Sequence, residues 1–188
     1  MSYCDYCRLL PDDDVNVIYH NEMYGFPLHD DVLLFERLVW EIMQAGLNWT
    51  LILQRKNAFQ VAFENYDLSK IALFEEQEIL CLMENPHIIR HRKKIEAVIF
   101  NAQAVLEIQK QSGSWDEWLC YHASLHLDLK DWVRLFKQHF RFVGSEIVRE
   151  FLTSIALFAH AHDDDCPIRQ KIQKIFQAGQ IKVSSATL

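Results

Sequence analysis

The chain has 188 residues, 50% of them apolar and 24% charged, with only 5 Gly and 4 Pro. That is enough for one compact core and too little for two ordinary domains, and so few turn residues exclude a many-stranded sandwich and any fibrous or low-complexity class. Its 26 acidic residues outnumber 19 basic ones for a formal charge of −7, which disfavours bulk attraction to phosphate and leaves nucleic-acid contact to a local basic patch or to backbone donors.

Residues 1–29 show no sustained periodicity and read as irregular. From 30 to 44, Val32, Leu33, Phe35, Leu38, Val39 and Ile42 recur at three- and four-residue spacing behind Asp30-Asp31, which predicts a helix that Gly46 ends. Helical patterns follow over 49–63, 68–72 and 75–83. The stretch 88–106 lines up Ile95, Val98, Ile99, Ala102, Val105 and Leu106 against a charged face, with Gly113 as its stop signal. Further helices are predicted over 115–122, 129–140, 145–161 and 167–178. No segment has a period of two, and no repeat or Ser/Gly-rich linker interrupts the chain. The expected class is therefore a single all-α domain spanning 1–188, with 171–188 an unassigned tail. No apolar run approaches the ~20 residues needed to span a bilayer, and Met1-Ser2-Tyr3-Cys4-Asp5 lacks a charged and apolar leader. Five cysteines, three near the chain ends and Cys81 and Cys120 in apolar segments, do not form a secreted disulfide framework. The expectation is a cytoplasmic protein with no membrane contact and no obligate protein partner.

His162 and Cys166 stand four apart before Pro167, and the N-terminal segment offers Cys4, Cys7 and His20. Two Cys and two His would complete a tetrahedral zinc site joining the chain ends, and zinc would anchor a segment too poor in apolar groups to order itself. The plainer reading keeps the cysteines as small buried hydrophobes and the histidines as a solvated helix end. Glu41 lies beside the apolar stripe of the first long helix, where a carboxylate is costly unless used; it either recognises a cation or exocyclic amine or is an ordinary surface residue. Tyr6, Tyr19, Tyr24, Trp40 and Trp49 flank it, as pocket walls or as core. The basic run Arg90-His91-Arg92-Lys93-Lys94 opens a predicted helix, whose N-terminus favours phosphate, although a charge run by default is a solvated face. Phe140-Arg141-Phe142-Val143-Gly144-Ser145 reads either as a plain helix–helix turn or as a hairpin that presents backbone N–H groups to phosphate.

Together these segments resemble the type I 3-methyladenine DNA glycosylases of the helix–hairpin–helix superfamily. The likeness is carried by Tyr19-His20 with Tyr24-Gly25-Phe26-Pro27, Gln44-Ala45-Gly46-Leu47-Asn48-Trp49, Ile88-Ile89-Arg90-His91-Arg92-Lys93-Lys94-Ile95, Phe140-Arg141-Phe142-Val143-Gly144, and His162 with Cys166, over about residues 4 to 170. The resemblance implies one structural zinc on Cys4, His20, His162 and Cys166, with Cys7 as the alternative to Cys4. It also implies a base-recognising glutamate at Glu41 and a pocket for the flipped base lined by Tyr19, Tyr24, Trp49 and Tyr6. DNA contacts would come from the Gly46-Leu47 turn with Leu47 as the plug, from Val143, Gly144 and Ser145, and from Arg90 and Arg92. The partner would be double-stranded DNA carrying alkylated bases. The chain departs from the family at His20-Asn21-Glu22-Met23-Tyr24-Gly25, where an aspartate after the histidine and a tryptophan before the glycine are common.

N3-alkylated adenine is cationic and already a good leaving group, so the enzyme's implied work is to extrude and discriminate the base. Asp163, Asp164 and Asp165 stand about 20 residues beyond Gly144, where other members of the superfamily place a catalytic aspartate. They are expected to act beside the zinc or at a helix end, with catalysis as the alternative. Rival expectations are a non-catalytic nucleic-acid-binding protein that keeps hairpin and zinc, and a zinc hydrolase, which four protein ligands would close.

Overall fold

A computed structural model describes residues 1–177 as helices α1 (Tyr3–Arg8), α2 (Val15–Glu22), α3 (Asp31–Gln44), α4 (Trp49–Ala62), α5 (Leu68–Ile71), α6 (Glu76–Glu84), α7 (Arg92–Ser112), α8 (Trp115–Ser124), α9 (Leu129–His139), α10 (Ser145–Ser154) and α11 (Pro167–Gln177), with a 3-10 turn at Glu64–Tyr66. The described residues contain no strand, as the missing period of two implied, and no helix long and apolar enough to cross a membrane. Much of the acidic surplus sits where helices begin. The side chains of Asp14, Asp30, Asp67 and Asp128 each accept a backbone N–H in the first turn of α2, α3, α5 and α9, satisfying otherwise orphaned donors at the positive end of the helix dipole.

The core is built around α3. Leu34, Phe35, Leu38, Val39, Trp40, Ile42 and Met43 are buried there, and the helix packs against α4, α7 and α10. Trp115 of α8 stacks on Phe151 of α10 with ring centroids 5.5 Å apart.

Three expectations need correction. Residues 1–29 are not irregular, because α1 and α2 form there. Ser2 closes a capping box on α1 and Asp14 caps α2, and both helices are too short for a periodic stripe to stand out. The helix expected over 145–161 stops at Ser154. Ala156 adopts φ +62°, its N–H bonding Thr153 O while the Leu157 N–H bonds Leu152 O. That is the paired closure of a helix C-terminus usually marked by glycine, and alanine at this position hid the stop. The basic run is not one open patch either. α7 begins at Arg92 with His91 as its cap, Arg92 pairs with Glu76 at 2.6 Å and with Glu96 at 3.4 Å, and only Arg90 and Lys93 stay exposed among its cations. Lys94 is buried, its Nζ donating to Met43 O at 2.9 Å and Ala45 O at 2.8 Å. Of the tail taken as unassigned, 171–177 continues α11, while 178–188 and the end of the helix expected over 167–178 lie outside the described residues.

The connection between α9 and α10 is held from below by Asn101 of α7. Its Nδ2 donates to Arg141 O at 3.1 Å and its Oδ1 accepts the Arg141 N–H at 2.7 Å, with the side chain fully buried. Asn101→Ala leaves a partly buried donor and acceptor unpaired and is expected to destabilise the protein by about 2–4 kcal/mol, read as a lower urea midpoint with an unchanged slope.

Candidate functional site

An aromatic-walled cavity of about 240 Å³ opens where α1, α2, α3, α4 and α10 converge, lined by Tyr3, Tyr19, Tyr24, Glu41, Gln44, Trp49 and Glu150. The Tyr19 and Trp49 rings meet at 5.1 Å, Tyr19 and Tyr24 at 5.7 Å, and Tyr3 and Tyr24 edge to face at 5.5 Å. Tyr3 takes the wall position expected for Tyr6. Tyr6 instead lies on Tyr3, at 6.4 Å between centroids, and does not reach the cavity. Three residues separate Tyr3 from Tyr6, one helical turn, so the two rings share a face of α1 and only one can look inward.

Glu41, in the last turn of α3, is 5% exposed, and no group among the described residues hydrogen bonds its carboxylate. Burial first and the charge of Glu150 second push its pKa up to about 8, against the opposing pull of Arg37. The Tyr19 hydroxyl is likewise buried without a partner. Buried polar groups are normally satisfied, so an orphan carboxylate lining a cavity marks a place where a ligand completes the hydrogen bonding. Arg37 is a buried cation one turn before Glu41, its guanidinium 5.1 Å from both the Tyr19 and Trp40 rings. Nothing in the sequence pattern singles it out, since an arginine on a helix normally reaches solvent.

A second, larger cavity of about 520 Å³ adjoins the first and shares Glu41, Gln44 and Glu150 with it. The rest of its lining comes from Ala45 and Gly46 and from the first turn of α10, including Gly144, Ser145 and Ile147. Gly46 has φ +80°, a left-handed conformation that favours glycine, and Gln44 Nε2 donates to Leu47 O at 2.9 Å, tightening the turn. Leu47 projects from it, 38% exposed. Gly144 has an ordinary extended backbone with φ −79°, and no side chain caps α10. A side chain there would meet nothing within 4 Å, and the uncapped first turn of α10 lines the cavity together with the acidic side chain of Glu146. Val143 is buried in the core, which leaves only its backbone for any outside contact. Ser145 and Arg90 are exposed, whereas Arg92 is tied to acidic neighbours.

Behind the aromatic wall, Cys4, His20, His162 and Cys166 bring their donor atoms together in a buried group able to hold a metal ion. His20 Nε2 lies 3.2 Å from Cys4 Sγ and 3.7 Å from Cys166 Sγ, and His162 Nδ1 lies 3.1 Å from His20 Nε2, 3.6 Å from Cys4 Sγ and 3.7 Å from Cys166 Sγ. The remaining ring nitrogens are engaged, His20 Nδ1 with Asn21 Oδ1 at 2.7 Å and His162 Nε2 with Tyr24 O at 2.8 Å, which directs the inner nitrogens' lone pairs at the common centre. Cys7 stands apart, its thiol donating to Asn16 O. Asp163, Asp164 and Asp165 line neither cavity; they bond Ser2, Arg169 and Arg8.

The geometry thus defines a class of protein, an all-helical one with an aromatic-walled cavity over a buried carboxylate, beside a glycine turn and an uncapped helix N-terminus. Residues 10–133 match the model of the methyladenine glycosylase family, and the chain belongs to that family. It is 29% identical over 180 residues to the DNA-3-methyladenine glycosylase of Haemophilus influenzae, covering 87% of this chain and 97% of that protein. With DNA-3-methyladenine glycosylase 1 of Escherichia coli it shares 35% identity over 104 residues, 55% of this chain and 56% of that one. The solved structure of 3-methyladenine DNA glycosylase I from Staphylococcus aureus superposes with a TM-score of 0.79 at 31% identity, over 89% of this chain and 98% of that chain. A variant of 3-methyladenine DNA glycosylase I in complex with 3-methyladenine gives 0.78 at 32%, over 87% and 96%.

Because the Glu41 pKa is raised by folding from 4.5 to about 8, the native state holds a proton that the unfolded chain releases between those values. Stability from this group is fully present below about pH 4.5 and declines as the pH rises through about 8. Glu41→Gln, a neutral mimic of the protonated acid, is expected to match the parent near pH 4 and to exceed it by on the order of 2–4 kcal/mol at pH 9. Chemical unfolding of both proteins at the two pH values measures the difference.

Proposed function

We propose that this protein is a DNA-repair glycosylase that extrudes 3-methyladenine from double-stranded alkylated DNA and hydrolyses its N-glycosidic bond. The observation that carries this reading is the unpartnered Glu41 carboxylate at the floor of an aromatic box. A base methylated at N3 and still joined to deoxyribose at N9 is a cation with an exocyclic amine. Glu41 offers that ring an acceptor and an opposite charge, and Tyr3, Tyr19, Tyr24 and Trp49 offer π-faces, each contributing roughly 0.5–2 kcal/mol more to a cation than to a neutral ring. Entry of the cation displaces the proton that burial keeps on Glu41 and so gains a charge pair, which neutral adenine cannot form.

On this reading, α9, the 140–144 connection and α10 form the helix–hairpin–helix element, with the first-turn N–H groups of α10 around Gly144 and Ser145 taking a DNA phosphate. Leu47, on its glycine turn, enters the stack vacated by the base. Arg90 supplies a long-range cation, and Arg92 contributes little while Glu76 holds it.

Cys4, His20, His162 and Cys166 would hold one structural zinc. Donor atoms 3.1 to 3.7 Å apart match the roughly 3.3–3.8 Å edges of a tetrahedron built from ordinary Zn–N and Zn–S bonds. The donor chemistry also calls for a cation, since burial otherwise pushes the Cys4 thiol up to about 12 and holds the His162 imidazole down to about 4. Four protein ligands leave no open position, so the ion would fasten α1 and α2 to the segment before α11 and take no part in bond cleavage.

Purified protein incubated with methylated duplex DNA is expected to release free 3-methyladenine; no release from a folded, metal-replete preparation overturns the assignment. Glu41→Gln keeps the shape but cannot become an anion, and is expected to slow excision of 3-methyladenine from methylated duplex, where the base is still a cation, by some ten- to hundredfold, about 1.5–3 kcal/mol, measured in single-turnover assays.

Metal analysis is expected to find one zinc per chain. Cys166→Ser and Cys4→Ser should lose it together with several kcal/mol of stability, whereas Cys7→Ser should keep it. Absence of stoichiometric zinc, or its retention in both ligand variants, overturns the assignment.

A further inference from the structure

The three aspartates after the hairpin are engaged with Ser2, Arg8 and Arg169, yet one carboxylate that no sequence signal marked does reach the site. Glu150 lies on α10 six residues beyond Gly144. Its side chain is 36% exposed and paired with Arg149 at 2.9 Å, and the Tyr24 hydroxyl donates to its Oε2 at 3.3 Å. It lines both the aromatic cavity and the larger one beside it, as only Glu41 and Gln44 also do.

A flipped nucleotide is a base joined to a phosphate through a sugar. If the base occupies the aromatic cavity and the phosphate meets the first turn of α10, the deoxyribose must cross the boundary that the two cavities share. Of the residues on that boundary, Gln44 is neutral and its amide is turned to Leu47 O, and Glu41 lies deepest, under the base. Resting on the glycosylase reading above, we propose that Glu150 is a catalytic carboxylate facing C1′ of the extruded nucleotide, where it stabilises the positive charge that develops on the sugar and takes the proton of the attacking water.

The step balances. As the C1′–N9 bond breaks, its electron pair stays with the base and neutralises the ring cation, and the positive charge passes to C1′ and the ring oxygen. The water oxygen then bonds C1′ and its proton goes to Glu150, which returns it to solvent. A cationic base and one carboxylate become a neutral base, a 1′-hydroxyl and a protonated acid. The Tyr24 and Arg149 contacts fix the carboxylate in place beforehand, so little reorganisation is needed when charge develops. The two glutamates then differ by environment, Glu41 buried and serving recognition, Glu150 at the mouth and serving the sugar.

The test compares wild type with Glu150→Gln in three measurements: affinity for free 3-methyladenine, single-turnover excision from methylated duplex, and affinity for duplexes carrying at one position either a cationic pyrrolidine or a neutral tetrahydrofuran in place of the sugar. Wild type is expected to prefer the cationic duplex by tenfold or more. Glu150→Gln should still bind free 3-methyladenine, hold the neutral duplex within twofold of wild type, lose most of the cationic preference, and excise at least tenfold more slowly. Glu150→Asp, which keeps the charge on a shorter arm, should fall between them. A purely structural role would weaken both duplexes alike and leave their ratio intact. An unchanged ratio, or excision within twofold of wild type, overturns the proposal while leaving the glycosylase reading standing. A wild-type protein that releases no base overturns both.

Discussion

The end of α3 is fixed by one buried ammonium. Lys94 reaches in from α7 to the carbonyls of Met43 and Ala45, which the helix leaves without intrahelical partners and which carry the negative end of its dipole. Burial pulls the Lys94 pKa down, a cost offset by two charge-assisted hydrogen bonds. Glu41, Gln44 and the Gly46 turn that presents Leu47 all lie within four residues of Ala45. A frayed helix end would let the carboxylate and the turn drift independently. With the ammonium in place, the floor of the cavity and the turn at its mouth move as one body.

The opposite wall is fastened by different means. α1 has six residues and α2 eight, below the length at which an isolated helix holds itself in water, and they bury few large apolar side chains. Their rings nevertheless make most of the aromatic box, Tyr3 from α1, Tyr19 from α2 and Tyr24 just beyond it. The four-donor group explains how so light a segment can be positioned accurately. His20 follows Tyr19 directly, Cys4 follows Tyr3 directly, and the Tyr24 carbonyl takes the His162 Nε2 proton. Each wall tyrosine is thus next to a donor or bonded to one, so whatever tightens the cluster also tightens the cavity.

How far the sequence could be read follows the same physics. The long helices were legible because α3 and α7 each bury one continuous stripe, and Asp30, Gly46 and Gly113 mark ends that local chemistry dictates. The short N-terminal helices were not, since their stability comes from caps and from the cysteine and histidine cluster rather than from a periodic face. The early stop at Ser154 escaped because Ala156 occupies the left-handed position where glycine is the usual signal. In the site, Glu41, Tyr19, Tyr24 and Trp49 were identifiable through resemblance and do meet in one cavity. Tyr3, Arg37 and Glu150 were not. An inward-facing tyrosine on a six-residue helix, a buried arginine and a half-exposed glutamate become recognisable only when the helices around them are in place.

The acidic balance of the chain also takes on a meaning that composition alone did not provide. A protein of charge −7 that must approach DNA gains little from long-range attraction, and its carboxylates act locally: at helix N-caps, in ion pairs that hold Arg8, Arg92 and Arg169, and in two glutamates at the cavity. Under the proposed function, phosphate is left to backbone N–H groups at the uncapped start of α10, which need no net positive charge. Inside the cavity the same sign becomes useful. An alkylated base differs from its parent by one methyl group and one positive charge, and a methyl group gives an apolar pocket only about 1–3 kcal/mol of discrimination. Under the proposed function, with acidic oxygens placed against the ring, the positive charge separates a damaged base from a normal one more strongly than the methyl group can.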